Sequence, residues 1–302
     1  MTARIGVVID PDKCSGCGQC LRVCPDRSLS LQNGKAVAAG TSCIACGHCC
    51  AVCPEQAVSV KGIDGLLGFA TFPENASWLP WGETNVAELV RLMRSRRSCR
   101  NYLARPMDRN ILCDLVKIGI TAPSGTNSQA WTFTVLETRG EVMALGNLVG
   151  RFYKKLNRKA ANPLLRFLSR IFMGDVLGNY YRRYYRTIAD GVRLWEEEGQ
   201  DRLFHGAVSV ILVGSRHGAS CPVEDALLAT ENMLLGAHAM GLGTCLIGFA
   251  VEAMKRDRAI QQALGIPLSE EVHAVIALGY PAEKYREVAG RKEVVCRFSK
   301  IK

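Results

Sequence analysis

The sequence predicts an α+β protein in two parts, a small cysteine-rich unit followed by a mixed β-sheet packed with helices. Three observations lead there. Eight cysteines within the first 53 residues fall into two copies of one pattern. From residue 85 onward, amphipathic helices and apolar strands interleave without the regular period of a βαβ protein, which favours a mixed sheet over a doubly wound one. The chain of 302 residues, 48% of them hydrophobic, is long enough for about two domains with full cores.

The cysteines come first. Cys14, Cys17, Cys20 and Cys24 are spaced C-x2-C-x2-C-x3-C and precede Pro25; Cys43, Cys46, Cys49 and Cys53 repeat the spacing 29 residues later and precede Pro54. A cubane cluster needs four thiolates converging on one small volume, and a C-x2-C-x2-C loop wraps three of them around it. The run resembles the ligand pattern of bacterial two-cluster ferredoxins, in which the fourth cysteine of each copy reaches the other cluster. The resemblance assigns Cys14, Cys17, Cys20 and Cys53 to one [4Fe–4S] cluster and Cys43, Cys46, Cys49 and Cys24 to the other. Gly16, Gly18 and Gly47 suit loops whose N–H groups approach cluster sulfurs closely. A disulfide scaffold and CxxC zinc sites compete with this reading; the doubled spacing with both prolines favours clusters. Cys50, beside Cys49, is expected to be a bystander.

Composition narrows the setting. The N-terminal MTARIGVVIDPDK holds no long apolar stretch of a secretory signal, and no run of 18 apolar residues could span a membrane. Fourteen cysteines outside a secreted context point to metal binding in a reducing, cytoplasmic compartment. The net charge of +10 is concentrated: residues 150–193 hold eleven Lys/Arg against two Asp/Glu, whereas residues 1–61 balance at +2. No nucleic-acid motif accompanies the basic stretch, so no nucleic-acid partner is expected.

Domain boundaries are expected at 1–62 for the cluster unit, 63–84 for a Gly/Pro-rich linker, and 85–302 for the second domain. Within the first, 4–9 and 57–61 read as strands and 28–38 as a hairpin turning on Asn33-Gly34. In the second, helices are predicted at 85–93 and 109–120 from apolar spacing, followed by a polar loop at 122–129. Strands are predicted at 131–136, 207–213 and 272–279, with a long, mostly buried helix at 224–240. The histidines show no spacing suited to a site, and Cys99, Cys113, Cys221, Cys245 and Cys296 read as buried small hydrophobes.

Four stretches of the second domain then carry a resemblance to the nitroreductase family of FMN enzymes. They are Arg96-Arg97-Ser98-Cys99-Arg100 with Tyr102; Ala122-Pro123-Ser124-Gly125-Thr126-Asn127-Ser128-Gln129-Ala130-Trp131; Gly241-Leu242-Gly243-Thr244-Cys245-Leu246-Ile247-Gly248-Phe249; and Ala277-Leu278-Gly279-Tyr280-Pro281-Ala282 with Arg291-Lys292 behind it. Ala130 stands where the family usually has proline, and Phe249 where many members have a second glycine. The resemblance implies FMN held by Arg96, Arg97, Ser98, Arg100, Pro123, Ser124, Gly125, Asn127, Gln129, Ile247, Gly248, Arg291 and Lys292. Reduced FMN is anionic at its pyrimidine side and carries a phosphate, so fixed positive charge and amide contacts suit it. The resemblance also implies a homodimer, with the Pro123–Asn127 loop contributed by the neighbouring subunit, and a variable basic and aromatic insertion or lid at 150–205.

The expected function is reduction of a small organic acceptor, such as a nitroaromatic or a quinone, by electrons received through two [4Fe–4S] clusters and stored on FMN. An ene-reductase or reductive dehalogenase on the same scaffold is the alternative enzyme; an electron carrier or redox sensor is the alternative of another class. For the basic segment three uses compete: walling the flavin pocket, docking an acidic low-potential electron donor protein, and resting on an anionic membrane surface.

Overall fold

A computed structural model describes residues 6–39, 42–63 and 65–301. The strand predicted at 4–9 therefore lies partly outside the described residues; β1 is Val7–Ile9 and pairs antiparallel with β4, Val58–Val60. Between them β2 (Leu29–Gln32) and β3 (Lys35–Ala38) form the predicted hairpin. Asn33 and Gly34 turn it with φ of 49° and 74°, the left-handed pair that a two-residue hairpin loop demands. Each cysteine loop runs into a single helical turn, α1 (Gln19–Arg22) and α2 (His48–Ala51). The sequence repeat is also a backbone repeat. Left-handed residues stand at Gly16, Gly18 and Arg27 in the first copy and, 29 positions on, at Ala45, Gly47 and Gln56 in the second.

The strap that follows, 65–84, forms no helix or strand. It is tied down by Asp114, whose buried carboxylate accepts from the Ala70 N–H at 2.9 Å and from the Thr71 N–H and hydroxyl at 2.7 Å. Burial raises the pKa of Asp114, but the bonds from Thr71 and Ala70, with Lys117 nearby, outweigh it and hold the group below its ordinary value.

The second domain opens with α3 (Val86–Ser95) and α4 (Arg109–Gly119), capped by the side chains of Asn85 and Asp108. Its sheet has the order β5-β6-β8-β7: Trp131–Leu136, Ser209–Arg216, Glu270–Gly279 and Gly243–Leu246. These ladders are antiparallel, and a parallel bridge between Ser98 and Thr244 makes the sheet mixed. Between β5 and β6 the basic segment folds as α5 (Arg139–Ala161), α6 (Pro163–Phe172), α7 (Val176–Arg183) and α8 (Tyr185–Glu198). After β6 come α9 (Pro222–Ala239), then β7, α10 (Gly248–Arg256) and α11 (Arg258–Ala263).

The core lies on both faces of the sheet. Val210 and Leu212 pack with Val142, Leu145 and Val149 of α5, while Ile211 and Val213 pack with Leu112 and Leu115 of α4 and Met233 of α9. Burial on both faces is why this strand reads as an unbroken apolar run. Two expectations need correction. The helix predicted at 224–240 is only half buried, since Val223, Leu227 and Leu228 are exposed. Cys113 and Cys296 are exposed, unlike Cys99 and Cys245, whose thiols burial pushes up and keeps protonated.

Candidate functional site

In the cysteine-rich unit the two loops fold face to face and enclose two small cavities. One is lined by Cys14, Cys17, Cys20 and Cys53, the other by Cys24, Cys43, Cys46 and Cys49. Each cavity thus draws three cysteines from one copy and the last from the other. Backbone N–H groups point at the sulfurs: Ala36 to Cys14 at 3.4 Å and Ala57 to Cys53 at 3.3 Å in the first set, Ala45 to Cys43 at 3.4 Å and Ser28 to Cys24 at 3.3 Å in the second. Such bonds stabilise thiolate sulfur and tune the potential of a cluster held there. None of the described cysteines is in a disulfide. Among the described residues no three Cys, His, Asp or Glu side chains converge on a single-ion site; the eight thiols surround two volumes instead.

The second site is a large cavity of about 1420 Å3. Its floor is the end of β7 and the start of α10, where Cys245, Ile247 and Gly248 line it. Gly248 has open space where a Cβ would stand. Arg100, Arg202 and His205 stand on one side, and Phe152, Tyr153, Tyr180 and Tyr184 from the basic segment form the wall. His205 is held below its ordinary pKa mainly by burial, as is His273, whose Nε2 lies 2.9 Å from Ser215 Oγ. Neither histidine shows a spacing suited to a site; they line the cavity because β8 and the 201–206 turn bring them there, a juxtaposition that spacing along the chain does not encode.

Three of the four stretches singled out in the sequence meet at the β7 edge of the sheet, and the Ala122–Trp131 stretch leads into β5 at the opposite edge. Cys99 N–H donates to Thr244 O at 2.8 Å, and Gly243 lets the Cys99 side chain approach to where a Cβ would stand 2.7 Å from its sulfur. Tyr102 bridges to Pro281. Arg96 has its Nε buried without a hydrogen-bond partner among the described residues, 3.9 Å from Glu231. The loop Pro123–Gln129 is held by Asp225, a buried carboxylate that accepts from the Gly125 N–H at 2.9 Å and the Ser128 hydroxyl at 3.2 Å. Thr126, Asn127 and Gln129 all take left-handed backbone angles, a cluster of strain of the kind found at ligand sites.

Not every predicted residue comes together in one chain. Arg100, Ile247 and Gly248 share the cavity. Arg96, Arg97, Ser98 and the Pro123–Gln129 loop do not line it, and Arg291 and Lys292 lie on the exposed C-terminal stretch, where the Arg291 side chain reaches, among the described residues, only its neighbours Ala289 and Gly290. Asn127 has a contact the sequence did not foreshadow: its side-chain amide donates to Ile44 O at 2.9 Å and Ala45 O at 3.0 Å. The loop at the second domain's edge therefore seats directly on the second cysteine loop.

Comparison with known proteins identifies both parts of the chain. The model of the nitroreductase family matches residues 93–280, and that of a 4Fe-4S dicluster domain matches residues 6–54. An NADH dehydrogenase of Thermus thermophilus is 28% identical over 189 residues, 63% of this chain and 84% of that protein. Ferredoxin-2 of Desulfomicrobium norvegicum is 61% identical over 31 residues, 10% of this chain and 52% of that protein. The crystal structure of a nitroreductase with bound FMN from Bacteroides fragilis superposes with a TM-score of 0.50 at 22% identity, covering 72% of this chain and 99% of that one. Among the described residues no helix is long and apolar enough to cross a membrane.

Proposed function

The chain belongs to the nitroreductase family, as an oxidoreductase that carries an N-terminal 4Fe–4S dicluster domain, and from that premise we propose that it is an FMN-dependent enzyme that takes electrons through two [4Fe–4S] clusters and reduces an organic acceptor such as a nitroaromatic or a quinone. The observation that carries the reading is the hydrogen-bonded seat of Asn127 on the Ile44–Ala45 turn. It fastens the loop of one cysteine set to the loop that the family resemblance assigns to the flavin.

The residues fit both groups. Cys14, Cys17, Cys20 and Cys53 would hold the outer cluster, where Cys17 is exposed; Cys43, Cys46, Cys49 and Cys24 would hold the one beside the second domain. Bound FMN supplies reducing power at its N5 position and accepts electrons singly. Ile247 and Gly248 line the cavity floor, and the open space at Gly248 leaves its backbone free to be approached by a ring. The orphaned Arg96 Nε calls for an acceptor such as phosphate, with Arg97 and Ser98 next to it in the chain, while Arg291 enters this site through the family resemblance alone. Arg100 and Arg202 favour an acceptor that gains negative charge on reduction, and the aromatic wall favours a planar one.

A second copy completes the site. None of α3 is buried, and its Val86, Leu89, Val90 and Met93 stand exposed, as do Val223, Leu227 and Leu228 of α9. Arg94 on the first helix and Glu224 on the second are exposed and make no ion pair among the described residues, so the two faces can meet in a self-complementary pairing.

Anaerobically purified protein is expected to contain about eight irons per chain, following the two-cluster pattern, and one FMN. Arg291→Ala should lower flavin occupancy, and Arg97→Ala should lower it and make reduction of the bound flavin less favourable. Zinc in place of iron and sulfide, or unchanged occupancy and potential in both variants, contradicts the reading. Reoxidation of the reduced protein by an organic acceptor alone separates an enzyme from an electron carrier or redox sensor.

A further inference from the structure

Helix α6 has a face that the flavin reading does not use. Leu165, Leu168 and Phe172 line the large cavity together with Met173 and Val176. Leu164, Phe167 and Ile171, at i, i+3 and i+7, form a second apolar stripe that lines no cavity and is 63%, 60% and 57% exposed. Three large apolar side chains in a row on a free helix face, continuous with an apolar cavity mouth, are a marked cost in water. The helix and the two packed against it, α5 and α7, are basic: Lys155, Arg158, Lys159, Arg170 and Arg183 are exposed and make no ion pair among the described residues, where Lys154 and Arg182 do.

The charge decides what covers this face. Against a second copy, a two-fold contact would set the basic surface on itself, and like charges would oppose it; the α3–α9 face carries both signs and has no such conflict. An acidic protein would satisfy the cations but has no need of a projecting apolar stripe. A surface that offers anions at one level and hydrocarbon just beneath satisfies both, which is the chemistry of an anionic bilayer.

We propose that α6 docks the protein on an anionic membrane surface. Leu164, Phe167 and Ile171 enter the headgroup–acyl boundary and the surrounding cations meet lipid phosphates. The cavity mouth at Leu165, Leu168, Phe172 and Met173 then opens toward the bilayer, so the acceptor is an apolar aromatic compound carried in the lipid. The docking stands on the helix and its charges; the identity of the acceptor rests on the flavin reading above.

Flotation of the holoprotein with vesicles tests it. Binding is expected to phosphatidylcholine vesicles containing about one-third phosphatidylglycerol, with little to phosphatidylcholine alone, and is expected to fall with ionic strength. L164S/F167S/I171S should weaken it about tenfold or more, and Arg170→Gln about fivefold, with iron and flavin content unchanged. The proposal is overturned if the wild type stays unbound to anionic vesicles at low salt, or if the triple variant floats like the wild type. It is also overturned if that variant instead converts a dimer to monomers, which would mean a second copy covers the stripe, or if Arg170→Gln slows only reduction by an acidic protein donor. A decyl-chain benzoquinone in the vesicles should reoxidise the wild type faster than the triple variant, and a short-chain soluble quinone should not distinguish them. If neither quinone reoxidises the protein while flotation holds, the flavin reading fails and the docking stands.

Discussion

The two cysteine loops are copies 29 residues apart, yet they close on different surfaces. The first turns at Gly16 against its own unit: the Gly34 carbonyl lies where a Gly16 Cβ would have to stand, and Lys35 Nζ donates to Cys14 O at 2.6 Å. The second turns at Ala45, also left-handed with φ of 53°, but faces outward, where Asn127 of the second domain donates to it. The first loop needs glycine because backbone crowds it. The second can carry a side chain because its neighbour is a longer-range partner, and it accepts about 1–2 kcal/mol of left-handed strain in that conformation. A duplicated unit has thus become polar, with one closed end and one end joined to the flavin-type domain.

The largest effects are expected from removing cluster ligands. Cys17→Ser should disable the outer cluster and Cys46→Ser the inner one, each lowering iron by about half on the two-cluster pattern; metal analysis and low-temperature EPR would show which signal is lost. Equal loss of both clusters in both variants would mean the ligand sets are not separable. Exchange of the turn residues comes next. Gly16→Ala should destabilise the unit by about 3 kcal/mol or more, because clash and left-handed strain combine. Ala45→Gly should be neutral or stabilising by up to about 1 kcal/mol. Thermal unfolding under anaerobic conditions measures both, and similar effects at the two positions would dissolve the asymmetry.

Asn127→Ala is subtler. Losing two hydrogen bonds should cost about 1–3 kcal/mol of contact between the parts. It should slow flavin reduction by a one-electron donor while leaving turnover of chemically reduced protein near the wild-type value. The smallest effect is expected at Cys50, whose counterpart in the first copy is Leu21. Its thiol is pushed up chiefly by burial and it lines neither cavity. Cys50→Ser should keep all the iron and change stability by about 0.5 kcal/mol or less.

How much of this the sequence displayed follows from the range of the forces involved. The cysteine loops and the Asn33-Gly34 hairpin are local: spacing and turn chemistry determine them within a few residues, and β5 emerged at its predicted bounds, Trp131–Leu136. The strand β7 is not among the predicted strands, because four residues with no alternation become a strand only by pairing with β8. The basic segment showed its charge but not its division into four helices. Asp114 and Asp225 were missed altogether. Their partners lie 44 and 100 residues away, and nothing near either aspartate marks it as buried. The face of α3 was legible as amphipathic, but not as one that its own chain leaves uncovered.

On the proposed function, electrons reach the flavin-type domain from the dicluster unit across the Ala45–Asn127 contact. Anaerobic stopped-flow with a low-potential one-electron donor tests it most directly, in the intact chain and in Cys46→Ser with flavin content matched. The account predicts that iron–sulfur absorbance bleaches before or together with flavin reduction in the intact chain. In Cys46→Ser it predicts bleaching of the outer cluster with flavin reduction slowed by orders of magnitude. Flavin reduction at the same rate in both proteins, or full turnover of Cys46→Ser with NADH at the intact protein's rate, would contradict it.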